Sequence, residues 1–238
     1  MSLNLLSPQI LFQSDEWLVV SKPAGLRTIS GRLPSLSPTD SLETPASISD
    51  PSSNQNSTLM SWAEAKTGKK LLIVHRLDIQ TSGVVLFAQT ASAHRKANLW
   101  FQNRQVKKTY MALARGKPQV PFWKITLPIE GASSLTQVQV EEQFSHAFLA
   151  QVHPRSGRKH QIRIHLSQSG YPLLGDPRYG GPIEIQGFEP QVTISIPRVA
   201  LHASSLHLPS GEHFQAPLPS DFLTWIDQLR KDVPHEPT

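Results

Sequence analysis

The chain of 238 residues is long enough for one sizeable core or two small ones. It contains no cysteine, which excludes a disulfide framework and a thiolate metal site, and no apolar run approaches the roughly 18–20 residues of a membrane-spanning helix. The net charge of +5, at a pI of about 9.6, is unevenly placed: residues 65–129 carry twelve Lys or Arg and one acidic side chain, Asp78.

In chain order, "PQILFQSDEWLVVSKPAG" (8–25) predicts two short strands joined by a Ser-Asp-Glu turn and closed by Pro-Ala-Gly. The next stretch, 30–57, holds nine Ser and four Pro without periodicity and is expected to be a flexible insertion or loop. A short helix is expected over 57–70, with Ser57 or Thr58 as cap and Gly68 near its end. "GVVLFAQ" (83–89) has the pattern of a buried strand, and residues 90–104 that of a helix capped by Thr90. "VKKTYMALARG" (106–116) alternates as a strand does, and further strands are expected at 122–128, 137–143 and 146–153. Residues 158–170 predict a helix with Ile162 and Leu166 on one face and a stop at Gly170. A strand at 199–208 and an amphipathic helix at 220–232 complete the series. That helix should be capped by Ser220, with Phe222, Trp225, Ile226 and Leu229 as its apolar stripe. Mixed order without regular strand–helix–strand alternation favours an α+β fold with a largely antiparallel sheet.

Four groups of residues carry candidate chemistry. Asp78, two residues after Arg76, is either a turn carboxylate bonding the backbone of "TSG" or a carboxylate kept charged for use as nucleophile or base. In "HPRSGRKHQIRIHLSQSGYPLLGDPRYG" (153–180), a helix would place His160, Arg163 and Ser167 on one polar face, to be either solvated or aimed at a carboxylate or phosphate. Tyr110 shares a strand side with Lys108, so its ring either joins the core or lines a basic cleft and stacks on a base. A set of five of the ten histidines (His75, His160, His165, His202, His207) lacks an HExxH pattern or paired carboxylates, which argues against a metal site. No G-x-S-x-G elbow supports a serine hydrolase.

Together these blocks resemble the RluA-type pseudouridine synthases. The likeness is carried by "ILFQSDEWLVVSKPAGL" (10–26), "HRLDIQTSGVVLFA" (75–88), "FQNRQVKKTYMALARG" (101–116), "SGRKHQIRIHLSQSGYPLLGDPRYG" (156–180) and "LHASSLHL" (201–208). It departs at Ser156, where the family commonly has Thr, and in the length of 30–57; no separate RNA-binding module is expected before residue 10.

The resemblance implies a single α+β pseudouridine-synthase-like domain over 1–238, with a mixed, mostly antiparallel sheet flanked by helices and a catalytic cleft. It implies isomerisation of uridine to pseudouridine in ribosomal or transfer RNA, on a nucleotide flipped out of its stack. Asp78 would be the nucleophile or acid/base, Arg163 the cation that holds it ionised, and Tyr110 the ring against the target base. Arg76 would enter the RNA, and His75, Lys108, Arg158 and His160 would contact RNA or base. No cofactor or metal is implied, and a cytoplasmic monomer without membrane contact is expected. Two rivals stay in view: a catalytically inactive RNA-binding module on the same scaffold, and a metal-dependent RNA hydrolase using the histidines.

Overall fold

The structure is a computed structural model that describes residues 7–30, 58–186 and 193–232. The Ser/Pro-rich stretch expected as an insertion, 30–57, lies outside the described residues except for Ser30. The chain divides into two compact units, Met1–Asn103 and Arg104–Thr238.

In the first unit, strands β1 (Gln9–Gln13) and β2 (Trp17–Lys22) form the expected hairpin, and β2 pairs with β4 (Ser82–Ala88), antiparallel throughout. A two-residue strand, β3 (Leu72–Ile73), adds to β4. β4 is buried at every position, which explains its unbroken apolar pattern. Helix α1 (Leu59–Thr67) starts at Thr58, whose hydroxyl accepts from the Ser61 amide while the Ser61 hydroxyl accepts from the Thr58 amide. It ends at Gly68, in the left-handed conformation that glycine adopts without strain. Helix α2 (Ala91–Gln102) is capped by Thr90, as its sequence implies.

The second unit is built on a sheet in the order β11 (Leu201–His207), β5 (Lys107–Arg115), β8 (Ala147–Pro154), β7 (Thr136–Gln143), β6 (Phe122–Ile125). β12 (His213–Gln215) also pairs with β11. All five of these pairings are antiparallel. Alternation splits the sheet into two faces. On one, Ala112, Val138, Ala150 and Val152 pack against Ile162 and Leu166 of α3 (Gln161–Gln168). On the other, Leu113 and Leu149 pack against Phe222, Trp225, Ile226 and Leu229 of α4 (Ser220–Lys231), the stripe expected from sequence. Burying each of the Val, Leu, Ile and Phe side chains among these contributes roughly 1.5–3 kcal/mol.

Two expectations need correction. Ser220 is not the cap of α4 but its first residue: extended Pro219 precedes the helix, and the Asp221 carboxylate accepts from the Phe222 amide instead. α3 is shorter than 158–170, because His160 takes the left-handed conformation (φ 54°) and starts the helix there. A small separate sheet of β9 (Glu184–Gln186) and β10 (Thr193–Ser195) has no clear signal in the sequence. The α+β class, with antiparallel pairing within each unit, is borne out.

Candidate active site

Asp78 lies in the first unit, on the loop between β3 and β4, with His75 and Arg76 just before it. Both of its chain neighbours are fixed through main-chain atoms. The Thr28 hydroxyl accepts from the Leu77 amide (3.3 Å) and donates to the Leu77 carbonyl (3.2 Å). The Ile79 carbonyl accepts from the Gly25 amide (2.8 Å) and from Lys22 Nζ (3.0 Å). Lys22 is only 1% exposed and also donates to the carbonyls of Pro23 and Leu26, at 2.9 and 2.8 Å. A buried ammonium is costly unless hydrogen-bonded, and these carbonyls supply that compensation. The Lys-Pro-Ala-Gly turn is thus a clamp that ties the end of β2 to the Asp78 loop. The Asp78 carbonyl accepts from the Thr81 amide, so the residue does open the turn its neighbours suggest. Its side chain is half-buried, while Arg76 is exposed. His75 accepts a hydrogen bond at Nε2 from the Leu86 amide (3.0 Å) and stacks on Phe101, which fixes its ring against the fold.

Tyr110 and Lys108 lie in the second unit, on one side of β5. Tyr110 is half-buried, in register with Val152 and Ala203, and packs at the edge of the α3-side core. Lys108 donates from Nζ to the Ser156 carbonyl (2.8 Å), and burial lowers its pKa to about 8. The hydroxyl of Ser156 donates to Gln161 Oε1, which also accepts from the Arg158 amide, so the Ser-Gly-Arg loop is braced onto the start of α3. Arg158 itself is exposed.

Arg163 departs from the simple picture of a polar helix face, because it is only 2% exposed. Its Nε and Nη2 donate to Asp176 Oδ2 and Oδ1 at 2.7 and 2.8 Å, a bidentate pair in which the carboxylate is fully buried. The residues expected to share a face with it do so. His160 Nδ1 lies 2.8 Å from the Tyr179 hydroxyl, Ser167 donates to the Tyr179 carbonyl at 2.7 Å, and the Arg163 guanidinium stands 5.0 Å from the centre of the Tyr179 ring. The face is therefore covered by the turn Pro177–Tyr179 and not by solvent. Burial raises the Tyr179 phenol above its ordinary pKa, so it stays protonated. Glycine is obligatory around this turn: a Cβ on Gly175 would come within 1.9 Å of the Arg198 carbonyl oxygen, and one on Gly181 within 1.7 Å of that of Leu173.

The family model described as RNA pseudouridylate synthase matches residues 16–168, which include the Asp78 loop, β5 and α3. The chain belongs to the RNA pseudouridylate synthase family. This pseudouridine synthase is 31% identical over 246 residues to the ribosomal large subunit pseudouridine synthase D of Pseudomonas aeruginosa, covering 94% of this chain and 72% of the relative. It is 30% identical over 249 residues to the ribosomal large subunit pseudouridine synthase C of Escherichia coli K12, covering 94% and 71%. In fold it matches human RNA pseudouridylate synthase domain containing 4 with a TM-score of 0.71, at 24% identity, over 93% of this chain and 92% of the human one. The RluA-type likeness read from the motifs is borne out, and the synthase is an RNA-modifying isomerase.

Sequence reading of the synthase missed two residues of structural consequence. Lys22 precedes the Pro-Ala-Gly turn and carries no motif of its own, although its position after Leu18 and Val20 places it on an inward strand side, where a lysine needs a partner. Asp176 is the single acid among five cations of 153–180 (Arg155, Arg158, Lys159, Arg163 and Arg178), and no local pattern assigns it to one of them. Among the described residues, no three His, Cys, Asp or Glu side chains are grouped to hold a metal. No helix of the described residues is long and apolar enough to cross a membrane.

Proposed function

We propose that the synthase isomerises uridines of large-subunit ribosomal RNA, with Asp78 as the nucleophile or essential acid/base. The observation that carries this reading is the Asp78 loop: the main chain is gripped on both sides of a half-buried carboxylate, inside the segment matched by the family model. Such pre-positioning is what a group needs if it is to attack with little reorganisation. In the reaction the bond from ribose C1′ to N1 breaks, the uracil turns, C5 joins C1′, the C5 proton leaves to solvent and N1 takes one up. No electron or water enters the balance.

On this reading residues 1–238 form one catalytic domain. Tyr110 packs against the target base and Arg163 is the cation for the reacting carboxylate. Arg76, exposed on the Asp78 loop, enters the RNA where the base leaves the stack, which costs a few kcal/mol. Lys108 and Arg158 contribute to phosphate or base contacts. His75 and His160 contribute through the rings and loops they hold. The ribosomal substrate rests on the names of the relatives. The protein acts as a cytoplasmic monomer.

The test is tritium release from RNA labelled at C5 of uridine, using total RNA from cells that lack the protein. Wild type should release tritium in the presence of chelator, and Asp78→Ala should release none while remaining folded. Release by both proteins would remove Asp78 from the chemistry. Release by neither, with RNA still bound, would favour an inactive RNA-binding module.

A further inference from the structure

The sheet of the second unit has a polar, cationic surface on the side away from Tyr110. Register aligns one row across its strands. Lys124 of β6 pairs with Gln137 of β7, and Gln137 with His153 of β8. The Thr109 hydroxyl of β5 lies 3.4 Å from His153 Nδ1, and Ser205 of β11 pairs with Thr109 on one side and Gln215 of β12 on the other. At about 4.8 Å per strand the row is roughly 24 Å long. A second row follows two residues along: Lys107 pairs with His207, and His207 stacks on His213 at 4.8 Å between ring centres. Arg155, just past β8, reaches back to Gln137 at 3.3 Å. Lys107, Lys124, Arg155, His207, His213 and Gln215 are exposed, and the residues between them are half-buried. Two acids border the surface: Glu141, whose charge acts on His153, and Glu212 in the turn before β12. Neither lies in the two rows.

We propose that this surface is a second RNA contact that holds the sugar–phosphate backbone of ribosomal RNA flanking the modified site. This rests on the reading of the protein as an RNA-modifying enzyme. The chemistry fits a backbone and not splayed bases. Fixed cations at Lys107, Lys124 and Arg155 match phosphates, and the Gln, Ser and Thr side chains between them match phosphate oxygens and 2′-hydroxyls. The two exposed histidine rings stack on each other, so they do not present a free platform for a base. The core of a protein–protein interface would want apolar or aromatic side chains here, and the rows contain none.

The experiment replaces Lys107, Lys124 and Arg155 together with Glu, and in a second variant with Gln, and checks both by thermal unfolding. Affinity is then measured across a salt series for two RNAs: intact large-subunit ribosomal RNA from cells lacking the protein, and a minimal stem-loop around the modified uridine. For the long RNA the Glu variant should bind at least tenfold more weakly, with a salt slope smaller by about three, one for each cation withdrawn from a phosphate. The Gln variant should shift in the same direction. Stem-loop affinity, and turnover on the stem-loop, should stay within about twofold of wild type. Unchanged binding of the long RNA would overturn the proposal, and so would an equal loss on both RNAs, which would mean general attraction to the active site. Binding of the long RNA is read without catalysis, so absence of tritium release by the wild type would defeat the uridine reading, while unchanged long-RNA binding by the Glu variant would still overturn this proposal.

Discussion

At the scale of single residues, the main surprise is how deeply two of the charges are buried. The side chains of Arg163 and Asp176 are 3% and 0% exposed, so neither charge is shared with water. Asp176→Ala takes away the carboxylate that receives two guanidinium N–H groups, and should destabilise the fold by about 3–5 kcal/mol in denaturant titration. Adding Arg163→Met should recover much of that stability, because no buried charge is then left without its partner, yet tritium release should be abolished. If activity returned with stability, Arg163 would have a purely structural role. Lys22→Met should cost about 2–4 kcal/mol, since three carbonyls lose a buried donor. The sequence marked Asp78, Tyr110 and Arg163 by motif and left Lys22 without a role. The reason is distance along the chain: the hydrogen bond from Lys22 to Ile79 spans 57 residues, and no local pattern encodes it.

At the scale of elements, legibility followed periodicity. The stripe of α4 and the unbroken apolar run of β4 are readable because burial on one or both faces leaves its period in the sequence. Caps were legible where a hydroxyl performs the capping, at Thr58 and Thr90, and illegible where it does not, at Pro219 and His160. Thr58→Ala should therefore cost about 1 kcal/mol, seen as a lower urea midpoint with unchanged slope. The three-residue strands β9, β10 and β12 escaped because such segments carry too few residues for a period and exist only through their partners. The turn at Gly175–Gly181 belongs here too. Gly175→Ala should fail to fold or lose well over ~3 kcal/mol, because its φ of +70° and the Arg198 carbonyl leave no room for a methyl group.

At the scale of the whole molecule, charge and titration set the working range. The surplus of basic residues is concentrated in 65–129, where the charge of +11 suits a polyanionic substrate and makes binding fall steeply with salt. His202 is 1% exposed, its Nε2 lies 3.1 Å from the Ala216 carbonyl, and burial lowers its pKa to about 4. Arg198 adds to the lowering and Asp221 opposes it. Between about pH 4 and 6.5 the unfolded chain binds a proton that the folded one refuses. Stability should thus decline as pH drops through this window, by on the order of 3 kcal/mol from this one ring. In His202→Gln the same acid titration, followed by thermal unfolding, should be visibly flatter; an unchanged slope would place the acid sensitivity elsewhere. None of this was legible beforehand, since His202 looked like one histidine among ten.

The grip on the Asp78 loop has a practical corollary. The tethers from Thr28, Gly25 and Lys22 all hold peptide groups of residues 77 and 79, so they survive a change of side chain at residue 78. Trimming Asp78 to alanine should consequently leave the loop in place. The variant would be an inert replica with its RNA-facing surfaces intact, able to stall on its natural transcript. Cross-linked in cells and sequenced, the captured transcripts would report the enzyme's own choice of target.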